Sequence, residues 1–164
     1  MNKHLTGEKR NLLTYLLLIV GVLSIIITAM LGQAQNDQFA QDSQESQLIN
    51  QLLNQSKYNE AGNKLKELLQ NYPDNYFLQW EYGLSLYNQG KIAQADQYYT
   101  KAREQRPVLV QNPTYLAQYG EVLQAEGQLD RAKKYLLEAK KVNTNPQLNG
   151  QIDKVLKSMG IEKK

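Results

Sequence analysis

The sequence contains no cysteine and a single histidine, and both facts narrow the chemistry open to the chain. Without cysteine there is no disulfide framework, no thiol nucleophile, no cysteine zinc site and no cysteine for lipid attachment. The histidine, His4, lies in the N-terminal tail, where a solvated side chain is the ordinary state. We therefore expect no metal site.

Patterns that carry catalysis are missing as well. No glycine-rich phosphate loop follows a strand, and no segment predicts a strand. Carboxylates such as Glu60 and Asp130 are spread along polar helix faces beside lysine and arginine. The formal net charge of +3 is mild and dispersed, which gives no indication of nucleic acid as a partner. The sequence predicts no catalytic residue, no enzyme and no cofactor.

A long apolar run occupies the N-terminal part of the chain. Leu12–Leu31 are twenty residues without a charge, and a helix of that length measures about 30 Å, the thickness of a bilayer core. Three basic residues precede the run, and the first one after it is Lys57. The positive-inside rule then predicts a cytoplasmic tail at 1–10, a bilayer-crossing signal anchor at 11–32 and the remainder outside the cytoplasm. The expected location is the cell membrane, with a single pass.

One alternative and one further feature of this segment stay open. Small residues at Gly32 and Ala34 have the spacing that a signal peptidase reads, so the run could instead be a cleaved signal peptide. Ser24, Thr28 and Gly32 lie four residues apart, and such a stripe would let two helices approach each other in a homo-oligomer.

Residues 33–43 are rich in Gln, Asn, Asp and Ser, with Phe39 as their single large apolar residue. So few apolar groups cannot offset the entropy lost on ordering. We expect a flexible polar stalk here.

From residue 44 onward, apolar residues recur at helical spacing and the pattern repeats. Leu78, Tyr82 and Leu86 mark one face of a helix, and Gly90 breaks the pattern before a second helix begins at Ile92. A shift of 34 residues toward the N-terminus or 37 toward the C-terminus brings similar residues into register. The equivalent positions are Gly83 with Gly120, Gly90 with Gly127, Ala95 with Ala61 and Ala132, Ala102 with Ala139, and Pro107 with Pro73.

This pattern resembles the tetratricopeptide repeat, which has a period near 34 residues, small residues at helix crossings and a proline after the second helix. The first unit departs from the pattern, because Ile49 and Ser56 stand where the other two units have glycine. The fold class implied is all-α, a transmembrane helix followed by a three-repeat tetratricopeptide-like solenoid and a C-terminal capping helix. The predicted repeat domain spans 44–146, in units of about 42–75, 76–109 and 113–146, and the cap and tail span 147–164. The predicted helices are Gln44–Gln55, Tyr58–Asn71, Asn75–Gln89, Ile92–Gln105, Pro113–Ala125, Leu129–Val142 and Pro146–Met159.

The helix Asn75–Gln89 has a second apolar face, formed by Phe77, Trp80, Leu84 and Tyr87. The resemblance implies that the first helix of each pair lines a concave groove that holds a peptide, and that this face points into it. An aromatic centre with a polar rim is typical of a binding hot spot, and we expect Trp80 to be its main residue, open to the groove. The alternative is that neighbouring helices or the stalk cover these rings.

The function that follows is a membrane-anchored scaffold that presents this groove outside the cytoplasm, for the assembly of an envelope or secretion-related complex. The alternative is a tethered, chaperone-like holder of exported or unfolded chains. A scaffold would bind one protein or peptide partner tightly, whereas a holder would bind many apolar peptides weakly.

Overall fold

The computed structural model describes the backbone of residues 7–161 and, within that range, the side chains of residues 11, 15–17, 19–28 and 44–161. Every regular element in this part of the chain is helical. The elements are α1 (Gly7–Asn54), α2 (Tyr58–Asn71), α3 (Tyr76–Asn88), α4 (Ile92–Gln105), a 3₁₀ turn (Pro107–Gln111), α5 (Pro113–Ala125), α6 (Leu129–Val142) and α7 (Pro146–Ser158). The chain divides into two compact units, 1–47 and 48–164. The predicted all-α repeat fold is confirmed.

The prediction of a membrane-spanning anchor is not supported. A bilayer crossing needs about twenty consecutive, predominantly apolar residues in one helix. Among the residues that the structure describes, no helix combines that length with that apolar character. The predicted location, a single-pass cell-membrane protein held by Leu12–Leu31 with its repeat domain outside the cytoplasm, is therefore wrong on this finding. Most of the predicted tail, 1–10, lies outside the described residues.

The segment predicted as a flexible stalk, 33–43, lies within α1. It contains neither glycine nor proline, and its glutamines and alanines are good helix formers, so nothing in it ends a helix. Low hydrophobicity argues against a packed core but not against a helical backbone. The division into a stalk and a repeat domain remains a prediction.

Within the unit 48–164 the helices form antiparallel pairs, and the small residues of the repeat lie where the two helices of a pair cross. A Cβ atom built on Gly83 would lie 2.8 Å from Cδ2 of Tyr99, and one built on Gly120 would lie 2.6 Å from Cγ of Leu136. Real Cβ atoms do not approach other atoms so closely, so a larger residue would push the helices apart. Gly83 and Gly120 therefore lie at equivalent helix crossings, as their alignment in the repeat predicts, while the bounds of the three units remain a prediction.

Tyrosine rings connect the second pair to the third. Tyr99 of α4 and Tyr119 of α5 are fully buried, with ring centroids 5.2 Å apart in a stacked arrangement. Tyr115 lies beside both rings and donates its hydroxyl hydrogen to the Tyr99 carbonyl oxygen at 2.7 Å. The Tyr119 hydroxyl donates to the Asp96 carboxylate at 2.6 Å. Each ring thus fills the core while its hydroxyl keeps a hydrogen-bond partner, which buried tyrosines need.

The helix ends are set by short-range signals. The side chains of Asn112 and Asn145 accept hydrogen bonds from backbone N–H groups of the first turns of α5 and α7, which is the geometry of an N-cap. Ile152 and Leu156 of α7 are buried against the last pair. The role of α7 as the cap of the solenoid remains a prediction. Gly160 ends α7 with a φ of 75°.

Three equivalent turns share one backbone geometry. The turns after α3 and α5 use Gly90 and Gly127 at φ 77° and 83°, whereas the turn after α1 places Ser56 at φ 58°. The Ser56 and Lys57 N–H groups bond to carbonyls of the preceding turn, as those of Gly90 and Lys91 do. Ser56 is therefore a residue with a side chain whose backbone lies in the left-handed region, which favours glycine.

We expect Ser56→Gly to stabilise the protein by about 0.5–1 kcal/mol, because glycine removes this strain without losing a contact. The urea midpoint measures the change. The matched control is Gly90→Ser, which should lower the midpoint by a similar amount. A lower midpoint for Ser56→Gly would mean that the serine side chain contributes more than its strained backbone costs.

Candidate peptide-binding groove

The second apolar face of α3 is present, but its four residues differ in exposure. Phe77 is 44% exposed and Trp80 only 8%, while Leu84 and Tyr87 are half-buried. Phe77, Leu84 and Tyr87 therefore keep surface available for a partner. We call these three residues, together with Glu81 of α3 and Glu121 of α5, the groove face.

Trp80 packs against α5 and lies buried beneath this face. Its Nε1 donates a hydrogen bond to Oε1 of Gln118 at 2.7 Å. Its ring contacts Tyr115 edge-on with centroids 5.5 Å apart, and Phe77 edge-on at 6.2 Å. The expectation that the Trp80 ring is open to a partner is thus not met in the free chain, since a neighbouring helix covers it. Its contact with Phe77 makes it a support for the exposed ring.

Gln118 is a residue that the sequence reasoning missed. Its Oε1 accepts from Trp80 of α3 and from the Tyr99 hydroxyl of α4, the latter at 3.3 Å, so one amide joins three helices. A glutamine between buried residues of an amphipathic helix looks like ordinary surface in the sequence. Only the approach of two donors from other helices gives it a role.

Glu81 lies between Phe77 and Leu84 on the α3 face, because positions i+4 and i+7 follow position i along one side of a helix. Burial raises the pKa of the Glu81 carboxyl to about 6. Burial also raises the pKa of Glu121, and burial together with the Glu121 charge raises the pKa of Tyr87. Desolvation with no compensating cation is the cause, since neither carboxylate forms an ion pair within the described residues.

The α5 positions equivalent to Phe77 and Tyr87 in the repeat carry polar residues, Thr114 and Gln124. Thr114 of α5 is exposed, and Gln124 is half-buried and donates to the Ser158 hydroxyl at 2.8 Å. Among the described residues no group of three or more His, Asp or Glu side chains is placed to hold a metal ion. The arrangement offers apolar rings and two carboxylates, which suits recognition of a chain segment.

Comparison with known proteins gives the same fold. Residues 77–147 match a family model described as YpiA-like, C-terminal tetratricopeptide repeats. These residues run from α3 into the start of α7. The match supports the tetratricopeptide repeat family. No curated protein matches the sequence.

Several solved structures share the architecture at low identity. The Yersinia enterocolitica type III secretion translocator chaperone SycD is 17% identical, covers 73% of this chain and 83% of its own, and has a TM-score of 0.62. SycD in complex with a peptide of the translocator YopD is 17% identical, covers 74% and 94%, and has a TM-score of 0.60. The first tetratricopeptide domain of Spaghetti (RPAP3) bound to the HSP90 peptide SRMEEVD is 18% identical, covers 71% and 90%, and has a TM-score of 0.58. At these identities the likeness concerns the fold.

Trp80 should behave as a core residue. We expect blue-shifted emission from this single tryptophan in the free protein, because its indole is covered by α5. Trp80→Ala should cost about 3–5 kcal/mol of stability, whereas Phe77→Ala should cost about 1 kcal/mol or less, since much of that ring is already in water. Red-shifted emission with wild-type stability in Trp80→Ala would place the ring outside the core.

Stability should also depend on Glu81 in a defined pH window. The folded chain keeps the Glu81 proton up to about pH 6, whereas the unfolded chain loses it near pH 4.5, the ordinary pKa of a glutamate. Stability is therefore lost as the pH rises through this window. We expect Glu81→Gln to be more stable by about 1–2 kcal/mol near pH 7 and no more stable below about pH 4.5, as measured by urea midpoints. Glu104→Gln, at an exposed site on α4, should show no such difference.

Proposed function

We propose that this chain is a protein-interaction scaffold that binds a peptide segment of a partner on the groove face. The observation that carries the proposal is the combination of exposed Phe77 with the half-buried carboxylates of Glu81 and Glu121. Exposed apolar side chains reduce solubility, and desolvated charges without a partner reduce stability, so their combination on one face is typical of a binding surface. The tetratricopeptide fold and its peptide-bound structural neighbours support a peptide as that ligand.

The chemistry of the groove face selects the partner. A lysine or arginine placed near Glu81 and Glu121 would supply the missing counter-charge, and an apolar side chain beside it would cover Phe77, Leu84 and Tyr87. Charge-assisted hydrogen bonds in such a desolvated place are stronger than those at an open surface. The preferred segment is therefore basic and apolar. An acidic peptide such as SRMEEVD, which the RPAP3 domain binds, would meet repulsion here.

A chaperone-like holder of unfolded chains is the second candidate, favoured by the fold that the chain shares with SycD. The two functions differ in selectivity. A holder should bind basic-apolar and neutral-apolar segments about equally, because its contacts are mainly apolar. A scaffold that uses Glu81 and Glu121 should discriminate between them.

The test uses the full chain labelled with ¹⁵N and two blocked hexapeptides. One alternates leucine or phenylalanine with lysine, and the other has glutamine in place of each lysine. We expect the basic peptide to shift amide resonances around Phe77, Leu84 and Tyr87 and to bind about tenfold more tightly than the neutral one, since two charge contacts are worth roughly 1.4 kcal/mol in total. Near pH 6 its binding should release protons from Glu81, which calorimetry in buffers of different ionisation enthalpy detects.

Matched variants distinguish binding at the groove face from non-specific binding to exposed apolar side chains. Phe77→Ala should weaken binding about tenfold or more, the scale of a hot-spot truncation. Leu129→Ala removes an apolar side chain of similar exposure from α6 and should have no effect. Equal affinity for both peptides would favour the holder, and amide shifts confined to other helices would argue against the groove face altogether.

A further inference from the structure

A cavity of about 340 Å³ lies away from the groove face, at the junction of the second and third helix pairs. It is lined by α4, the 3₁₀ turn, α5 and α6, and none of its lining residues belongs to the groove face. The connection between these pairs is longer than the one before α3, and it contains the 3₁₀ turn. Leu109 anchors this turn in the core, and the 41%-exposed Val110 forms part of the cavity wall.

The lining carries an excess of positive charge. Arg103, Arg131 and Lys134 contribute three cations, against the single carboxylate of Glu138. That carboxylate already forms an ion pair at 3.3 Å with Lys141, a residue outside the cavity lining. The positive charge of the cavity is therefore left largely uncompensated by the lining itself.

The cations differ in how they are held. Arg103 donates to the hydroxyl of Tyr135 at 2.6 Å, a neutral acceptor that orients the guanidinium without cancelling its charge. Arg131 donates to the Tyr119 hydroxyl at 3.0 Å and lies 4.0 Å from Asp96. Lys134 is exposed and makes no hydrogen bond or ion pair within the described residues. One oriented arginine and one free lysine thus border the same space.

The remaining walls are apolar. Leu116 is buried, and the ring of Tyr135 packs edge-on against Tyr119 with centroids 4.7 Å apart. Together with Val110 they offer a surface for an aliphatic or aromatic group next to the cations. The volume is at the small end of ligand sites and accommodates one or two side chains.

We propose that this cavity binds an acidic, partly apolar peptide segment, whose carboxylate lies among Arg103, Lys134 and Arg131 and whose neighbouring apolar side chain contacts Val110 and Leu116. Charge complementarity selects the acidic group, because the cavity has cations without counter-charges. The limited volume selects a pair of adjacent side chains. The site is independent of the groove face and has the opposite charge preference, so the chain would hold two different segments at once.

The experiment titrates the ¹⁵N-labelled full chain with a blocked hexapeptide that alternates glutamate with leucine or phenylalanine. A counterpart with glutamine in place of glutamate is the charge control, and sodium phosphate is the probe for a simple anion. We expect the acidic peptide to shift amide resonances of the 3₁₀ turn and of α6 around Lys134, with the neutral peptide at least about fivefold weaker. Resonances of the groove face should not move.

Two variants have neighbours that serve as matched controls. Lys134→Glu should weaken binding of the acidic peptide about fivefold, whereas Lys133→Glu changes the same charge at an adjacent exposed site outside the lining and should change the affinity less than about twofold. Val110→Asp should likewise weaken it about fivefold, and Val108→Asp, in the same turn but outside the lining, should not.

Three results would overturn the proposal. Saturation of the same resonances by phosphate alone would show a simple anion site. Equal binding of the neutral peptide would show an apolar contact without charge selection. Equal losses for Lys134→Glu and Lys133→Glu would show a diffuse effect of net charge. Each of these leaves the groove proposal intact, because that proposal rests on the response of α3 to a basic peptide.

Discussion

The stacked tyrosines between the second and third helix pairs are the interaction on which the repeat region depends. Neither pair can bury its apolar face alone, so the contact between pairs has to supply the core. Tyr99, Tyr115 and Tyr119 lie fully buried in that contact, and their hydroxyl groups have hydrogen-bond partners in the core and along its edge. Ring pairs of this kind contribute about 0.5–1.5 kcal/mol each beyond the area they bury. Displacement of one ring would leave both apolar surface and polar groups without partners.

The same contact sets the geometry of both proposed surfaces. On one side Gln118 accepts from Trp80 and Tyr99, which fixes α3 against α5 and leaves Phe77 above the covered indole. On the other side Tyr119 contacts Tyr135, whose hydroxyl orients Arg103 at the cavity. The two surfaces carry opposite charge. The carboxylates of the groove face have no cationic partner, and the cations that line the cavity outnumber its carboxylates. Such a separation of charge costs stability in the free chain, which favours a use in binding.

Helix bounds were predictable because local signals determine them. The predicted and observed limits of α2, α4, α5 and α6 coincide, since caps such as Asn112, turn glycines and proline lie within a few residues of each end. The apolar run near the N-terminus shows the limit of this approach. The sequence pattern there predicted a separate anchor and a stalk, whereas α1 continues through both segments as one helix. No bilayer-crossing helix is found among the described residues.

The sequence by itself determined the repeat: its period, its small residues at the crossings and the helix ends, all of which follow from periodicity and short-range backbone chemistry. Only the tertiary structure decided which apolar residues of α3 face a partner, because the cover of Trp80 comes from Gln118 and Tyr115, far along the chain. It also decided that Arg103 and Lys134, on different helices, border one cavity. Burial and charge compensation depend on contacts between distant residues, and no local pattern encodes them.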